Sequence, residues 1–163
     1  MVWIEWNSNG EIAESLAGYR GGPESSVVID LDRAESMQLI AETPYGRVVF
    51  TRDALPAIRP VFHLVEEGQI IVRTRITSRL TGTVRPETTV VVAYEADQID
   101  PATHTGWAVV VTGLAHPITD PARVARYEKV LRPWMDRNMD SVIAIEPTMV
   151  NGIRLLGPCG QDE

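Results

Sequence analysis

Apolar residues along this chain gather in short β-branched runs. GRVVFT (46–51), LPAIRPVFHLV (55–65), GQIIVRTR (68–75), TTVVVAYEAD (88–97), GWAVVVTGLAHPIT (106–119) and SVIAIEPTMV (141–150) each have strand length and strand composition. Arg52-Asp53 separates the first two as a tight turn, and Glu66-Glu67-Gly68 places a glycine where a hairpin needs positive φ. Links this short favour antiparallel pairing. Several runs are apolar at consecutive positions (VVF, IIV, VVVA, AVVV), as expected of strands covered on both faces. Gly113, inside the longest run, marks a bulge or bend of the kind barrels use at corners. The pattern predicts a small closed antiparallel barrel whose outer surface is covered by helices or by another subunit.

Two helices interrupt the β pattern. Asp32, followed by Glu35, resembles a capping box, with Met37, Ile40 and Ala41 on one face and Thr43-Pro44-Tyr45-Gly46 ending the helix. Asp120-Pro121 is a second start, with the cap residue followed by proline at the first helical position. Val124, Tyr127, Val130, Leu131 and Trp134 recur at helical spacing, and Pro133 bends or ends that helix. Residues 1–26 form an extension rich in turn residues and carrying Trp3 and Trp6. Residues 27–157 form the domain, the last β run leading to NGIRLL, and 158–163 are a polar tail.

Charge and composition narrow the class. A net charge of -7 excludes a general nucleic-acid binder, which relies on clustered Lys and Arg, but leaves room for a local anion site. No apolar stretch approaches a membrane span and no signal-peptide pattern opens the chain, so a cytoplasmic location is expected. Cys159 is the only cysteine and His63, His104 and His116 are scattered, so no metal site is expected. Nucleophile elbows, P-loops and dinucleotide-binding glycine motifs are absent.

Against this acidic background, RTRITSRL (73–80) concentrates three arginines and three hydroxyl residues at a strand end. Two readings are open: surface pairing with carboxylates, or an oxyanion site built from Thr74, Ser78 and Arg79. Arg59-Pro60-Val61 adds an arginine in an apolar run, with a proline that deletes a ladder donor and so marks an edge or a ligand face. If 55–65 and 68–75 form a hairpin, Arg59 and Arg73 to Arg75 lie at the same end of it.

Together, ETPYGRVVFTRDALPAIRPV, IIVRTRITSRL, VVVAYEAD, TGWAVVVTGLAHPITDP, LRPW and IEPTMVNGIRL resemble the pyridoxamine 5′-phosphate oxidase-like split-barrel family, over roughly residues 30–156. The resemblance implies a mainly β fold with flanking helices, a six-stranded antiparallel split β-barrel, assembled as a homodimer with a flavin at each end of the interface. It places Arg59, Pro60 and Val61 along the isoalloxazine or its ribityl chain, with Val72, Arg73 and Thr74 bordering the same groups. The Ser78-Arg79-Leu80 triplet would hold the phosphate with help from Thr74, and Trp107 would stand near the interface and reach the partner's cofactor. FMN is the implied cofactor, and the deazaflavin F420, whose long anionic tail would use Arg75 and Arg85, is the alternative. The implied activity is hydride transfer to or from a small substrate, with a non-catalytic flavin-binding protein as the other possibility. Leu80 stands where the vitamin-forming oxidases carry lysine, and Thr77 where small members often carry glycine. No side chain is a clear acid or base. His63 is the one candidate in the right strand, with a satisfied histidine at the barrel rim as the competing reading.

Overall fold

The computed structural model describes residues 27–52, 54–74, 89–131 and 141–157. Expectations for Trp3, Trp6, Arg75, Thr77, Ser78, Arg79, Leu80, Arg85, Pro133, Trp134 and Cys159 fall outside them. In chain order the elements are β1 (Val27–Leu31), α1 (Arg33–Glu42), β2 (Tyr45–Arg52), β3 (Leu55–Glu66), β4 (Gln69–Thr74), β5 (Val90–Asp100), β6 (Thr105–Pro117), α2 (Pro121–Val130) and β7 (Ser141–Leu156).

Every pairing is antiparallel, in the order β1-β7-β4-β3-β2-β5-β6, and β6 also pairs with β7. Strands β2 to β7 therefore close into a ring of six, the predicted barrel. β7 is the seam: residues 141–145 ladder to β4, and 143–155 ladder to β6. NGIRLL belongs to this strand. A seventh strand, β1, lies on the far half of β7, from Val27↔Leu156 to Leu31↔Gly152. The register shift anticipated at Gly113 occurs between Thr112 and Gly113, and β7 supplies the extra residue (Thr112↔Met149, Gly113↔Pro147).

The turns follow from local chemistry. Glu66 pairs with Gln69, leaving Glu67 and Gly68 as a two-residue turn with φ of 51° and 75°. Positive φ at both positions is the type I′ hairpin, whose twist matches that of the strands it joins.

Alternation along the strands sorts two cores. The barrel interior packs Val48, Phe50, Val61, Ile70, Val72, Val92, Tyr94, Val109, Val111 and Ile143, with Ile40 of α1 plugged among them. On the outer face, Ile71, Val142 and Ala144 meet Tyr127 and Leu131 at the α2 end. Both helix caps form as expected. Asp32 accepts from the Glu35 backbone N–H at 2.8 Å, and Asp120 from that of Arg123 at 2.7 Å, each worth about 1 kcal/mol.

Three details of the helices differ from expectation. The buried face of α1 carries Ser36 and Ile40 while Ala41 is exposed, because the Ser36 hydroxyl folds back onto the Asp32 carbonyl at 2.7 Å and fits beside Gly152. The Glu35 carboxylate accepts from Arg154 at 2.7 Å, so that side chain serves an ion pair with β7. Val130 is exposed, since α2 stops there and Leu131 turns inward instead.

Candidate functional site

The ladder between β3 and β4 runs from Glu66↔Gln69 to His63↔Val72. Beyond it, β3 continues toward Leu55 paired with β2, while β4 continues to Thr74 paired with β7. The two strands part, and among the described residues no strand is laddered to the open side of 55–61. Among the described residues this is an edge inside an otherwise closed ring, and Pro60, which has no N–H, stands in it.

Strand parity sorts the expected site residues around this opening. Arg59 and Val61 share the interior row of β3 with Ala57 and His63, and Val72 and Thr74 share the interior row of β4 with Ile70. Val61, Val72 and Thr74 are buried, whereas Arg59 is exposed although its cross-strand partner Val48 is wholly buried. The interior row thus reaches the surface at Arg59. Pro60 and Arg73 lie on the opposite, outer row. Arg73 reaches toward α2, its guanidinium 3.5 Å from the Glu128 carbonyl oxygen and 3.8 Å from the Glu128 carboxylate. The opening therefore gathers Arg59, Val61, Val72 and Thr74, with Pro60 and Arg73 behind them on the other face. Ion pairing, the first of the two readings of the arginine-rich stretch, is realised in part at Arg73. Trp107 is buried and packs in the barrel core of its own chain.

His63 is also an interior residue. Its Nε2 lies 2.7 Å from the Ile40 carbonyl oxygen, and its Nδ1 lies 2.6 Å from the Tyr94 hydroxyl. A carbonyl only accepts, so Nε2 carries the hydrogen and Nδ1 accepts from Tyr94. Burial pushes the imidazole below its ordinary range, against the favourable Ile40 contact, and pushes the Tyr94 phenol far up. Both ring nitrogens have partners, as the competing reading of a satisfied histidine expects, rather than a free base. Gly46 makes room for this couple: a Cβ there would stand 2.2 Å from the Tyr94 oxygen.

Two charged clusters on the outer surface had escaped the sequence reading. Arg47 donates to Glu95 at 2.7 Å and to Asp97 at 2.6 Å, beside Pro60 in the cross-strand row. Partial burial raises the Glu95 carboxyl against the pull of Arg47, and the two carboxylates hold the guanidinium more firmly charged. Glu95 and Asp97, two apart on a predicted strand, were the available signal. Under α2, Glu66 accepts from Arg126 and from the Tyr127 hydroxyl, contacts that lower its pKa. The Arg126 guanidinium also stacks 4.6 Å from the Tyr127 ring centroid, so this corner moors α2 to the end of β3.

Among the described residues no group of His, Cys, Asp and Glu could hold a metal ion, and no helix is long and apolar enough to cross a membrane.

A six-stranded antiparallel ring with an interior helix plug and an outer helix is the architecture of the split β-barrel proteins. A Corynebacterium glutamicum structure assigned to pyridoxamine 5′-phosphate oxidase superposes with a TM-score of 0.64, is 25% identical, and is covered over 78% of this chain and 98% of its own. The FAD-binding protein of Mycobacterium smegmatis superposes with a TM-score of 0.56, at 25% identity and with the same coverage. In sequence, the Mycobacterium tuberculosis protein Rv0080, itself uncharacterised, is 55% identical over 140 residues, which is 84% of this chain and 92% of that protein. The pyridoxamine 5′-phosphate oxidase family model matches residues 32–154, and the chain belongs to that family.

Proposed function

We propose that this protein binds a flavin at the opening between β3 and β4 and uses it in hydride transfer to or from a small organic substrate. The observation that carries this reading is the parting of the β3–β4 ladder beside an exposed interior-row arginine, Arg59, just where Thr74 leads into the hydroxyl- and arginine-rich residues 75–80.

The donor set fits such a group. A flavin offers alternating carbonyl acceptors and an N–H along its pyrimidine edge, and the backbone of 55–61 has an open side to meet them. The Val61 and Val72 side chains are buried, so these residues would serve through their backbone. The Arg59 guanidinium would neutralise negative charge on the reduced ring. Thr74, Ser78 and Arg79 are the phosphate candidates by residue type, with Leu80 the last residue of that triplet in sequence. Arg73, held toward Glu128, would border the ring edge from the outer face, and Pro60 would stiffen the strand beneath it. A bound flavin supplies the hydride-transfer chemistry, and the chain supplies orientation, charge and exclusion of water. Among the described residues no acid or base with a free titrating atom stands at the opening, which favours direct transfer to a substrate stacked on the ring. The same observation suits a flavin-binding protein without turnover, the second reading.

FMN is the assignment we favour. The FAD-binding neighbour from Mycobacterium smegmatis supports a flavin with that phosphate-bearing half, and F420 is the alternative. A second copy of the chain would cover the outer face of the barrel. Ile58, Val91, Leu114 and Met149 stand 61%, 65%, 40% and 47% exposed there, and the row Ile58↔Val49↔Ala93↔Thr112↔Met149 crosses five strands.

The test is an absorbance spectrum of the purified protein, titration with FMN, FAD and F420, and anaerobic reduction with candidate donors. A ligand that binds only the folded state must raise the melting temperature. A colourless protein stabilised by none of the three would sink the reading.

A further inference from the structure

His63 occupies a particular place in the fold. It is the last β3 residue laddered to β4, two positions from Val61 and four from Arg59, so it stands at the hinge of the opening. It is also the residue to which α1 is tied, through the Ile40 carbonyl at 2.7 Å. Its backbone N–H donates to the Pro44 carbonyl at 3.4 Å, holding the chain that leaves α1 for β2. Among the described residues, the buried polar side chains are Ser36, His63 and Thr74, with the Tyr94 hydroxyl beside them.

One hydrogen arrangement satisfies this couple. Nε2–H donates to Ile40, and Tyr94 O–H donates to the Nδ1 lone pair at 2.6 Å. A proton on Nδ1 would convert that acceptor into a donor facing another donor. Tyr94 would have to turn its hydrogen away from His63, and a buried cation would sit where, among the described residues, no counter-charge pairs with it. Among the described residues no carboxylate supplies one. Glu35 of α1 pairs with Arg154, and Glu42 accepts from Gln38 on the exposed side of the helix. From β2 and β5, Arg47, Glu95 and Asp97 pair with one another on the outer face. Arg73 of β4 reaches Glu128, and Glu66 of β3 is held by Arg126 and Tyr127.

We propose that the His63–Tyr94 couple is a proton-sensitive latch, in which proton uptake by His63 releases the C-terminal end of α1 from the barrel and loosens β3 at the opening, so that acid weakens ligand binding there. The first half stands on the burial of His63 and the commitment of its Nδ1 to Tyr94, which outweigh the stronger contact an imidazolium would make to the Ile40 carbonyl. The second half rests on the flavin reading. Reciprocity follows from linkage: a ligand that holds the opening shut must make His63 harder to protonate.

Hydrogen exchange of residues 33–42, corrected for intrinsic rates and compared with β6, tests the latch between about pH 7.5 and about pH 5. In the wild-type protein α1 protection should fall roughly tenfold or more in acid while β6 keeps its own, tenfold corresponding to about one pKa unit of linkage. His63→Gln keeps a donor and an acceptor but does not titrate, so its α1 protection should be flat. Tyr94→Phe leaves Nδ1 without its donor, so its transition should move to higher pH. Equal pH dependence in wild type and His63→Gln, or an unmoved transition in Tyr94→Phe, overturns the latch. FMN affinity, read by flavin fluorescence over the same range, should fall in parallel in wild type and stay constant in His63→Gln. Affinity that is flat while α1 opens overturns the coupling to the site. Absence of FMN binding at every pH removes the flavin reading, and the exchange data still decide the latch.

Discussion

Arg59 and Val48 are cross-strand partners that point to the same side of the sheet, yet Val48 is wholly buried and Arg59 lies in the open. An arginine on the interior row of a sealed barrel would carry an unpaired charge into an apolar core, at a cost of several kcal/mol. Among the described residues the wall opens at that point and the guanidinium is exposed. Arg59→Ala is expected to weaken FMN binding roughly tenfold, as loss of one charge-assisted contact should, while unfolding stability stays within about 0.5 kcal/mol. Fluorescence titration and urea unfolding measure the two. A stability loss of core-truncation size with affinity intact would make this arginine structural.

The phosphate end has its own test. Arg79→Ala should reduce FMN affinity by more than about tenfold, and riboflavin, which lacks the phosphate, should bind the variant and the wild type alike. If FMN affinity is unchanged in Arg79→Ala and abolished in Arg59→Ala, the phosphate lies at the other end of the opening.

Gly46→Ala should destabilise the fold by about 1–3 kcal/mol. The added Cβ would stand 2.2 Å from the Tyr94 oxygen and 2.5 Å from the Glu95 carbonyl, and the second of these is backbone that cannot swing aside. Urea unfolding reads this loss. Tyr94→Phe in the same background should recover little of it, because the Tyr94 ring carbon Cζ, which phenylalanine keeps, also lies 2.5 Å from the added Cβ.

Stability should fall on acidification in two stages. The folded-state pKa of His63 lies below its ordinary value of 6.5, so below that pH the unfolded chain binds the proton first and stability drops. Glu66 is likewise depressed from 4.5 by Arg126 and Tyr127, so its contribution is present above that value and fades below it. Unfolding free energies measured across this range should decline from about pH 6.5 downward. In His63→Gln the first stage should vanish and the second remain.

The outer face predicts an assembly. Val91→Asp places a charge at the middle of an exposed apolar surface, where burial against a second copy would cost several kcal/mol. Light scattering should report a dimer for wild type and a monomer for the variant, with the monomer still folded by circular dichroism. A wild-type monomer at high protein concentration would remove the second copy from the proposal.

Much of the fold was legible because strand residues announce themselves locally: β2 to β7, the type I′ turn and both helix caps each rest on a few adjacent residues. β1 was not, since Val27, Val28 and Ile29 are all exposed and show no alternation. Residue types at the site were legible too, but their sides were not. Arg73 and Thr74 are neighbours in sequence and lie on opposite faces, and only the parity fixed by Val72↔Ile143 says which is which. The sequence could not name the partners of His63 because they come from α1 and β5, 23 and 31 residues away. The burial of Trp107 was not legible either, since it depends on the register of β6 against two other strands.

β7 ladders to β1, β4 and β6, so three separate parts of the chain wait for residues 141–156. On a ribosome, β2 to β6 emerge first as an open sheet with two bare edges and an apolar inner face. Such a sheet is prone to pair with whatever strand it meets. The barrel thus depends for its closure on a strand made after β2 to β6. Truncation within β7 should be more damaging than the loss of an equal length anywhere in α2.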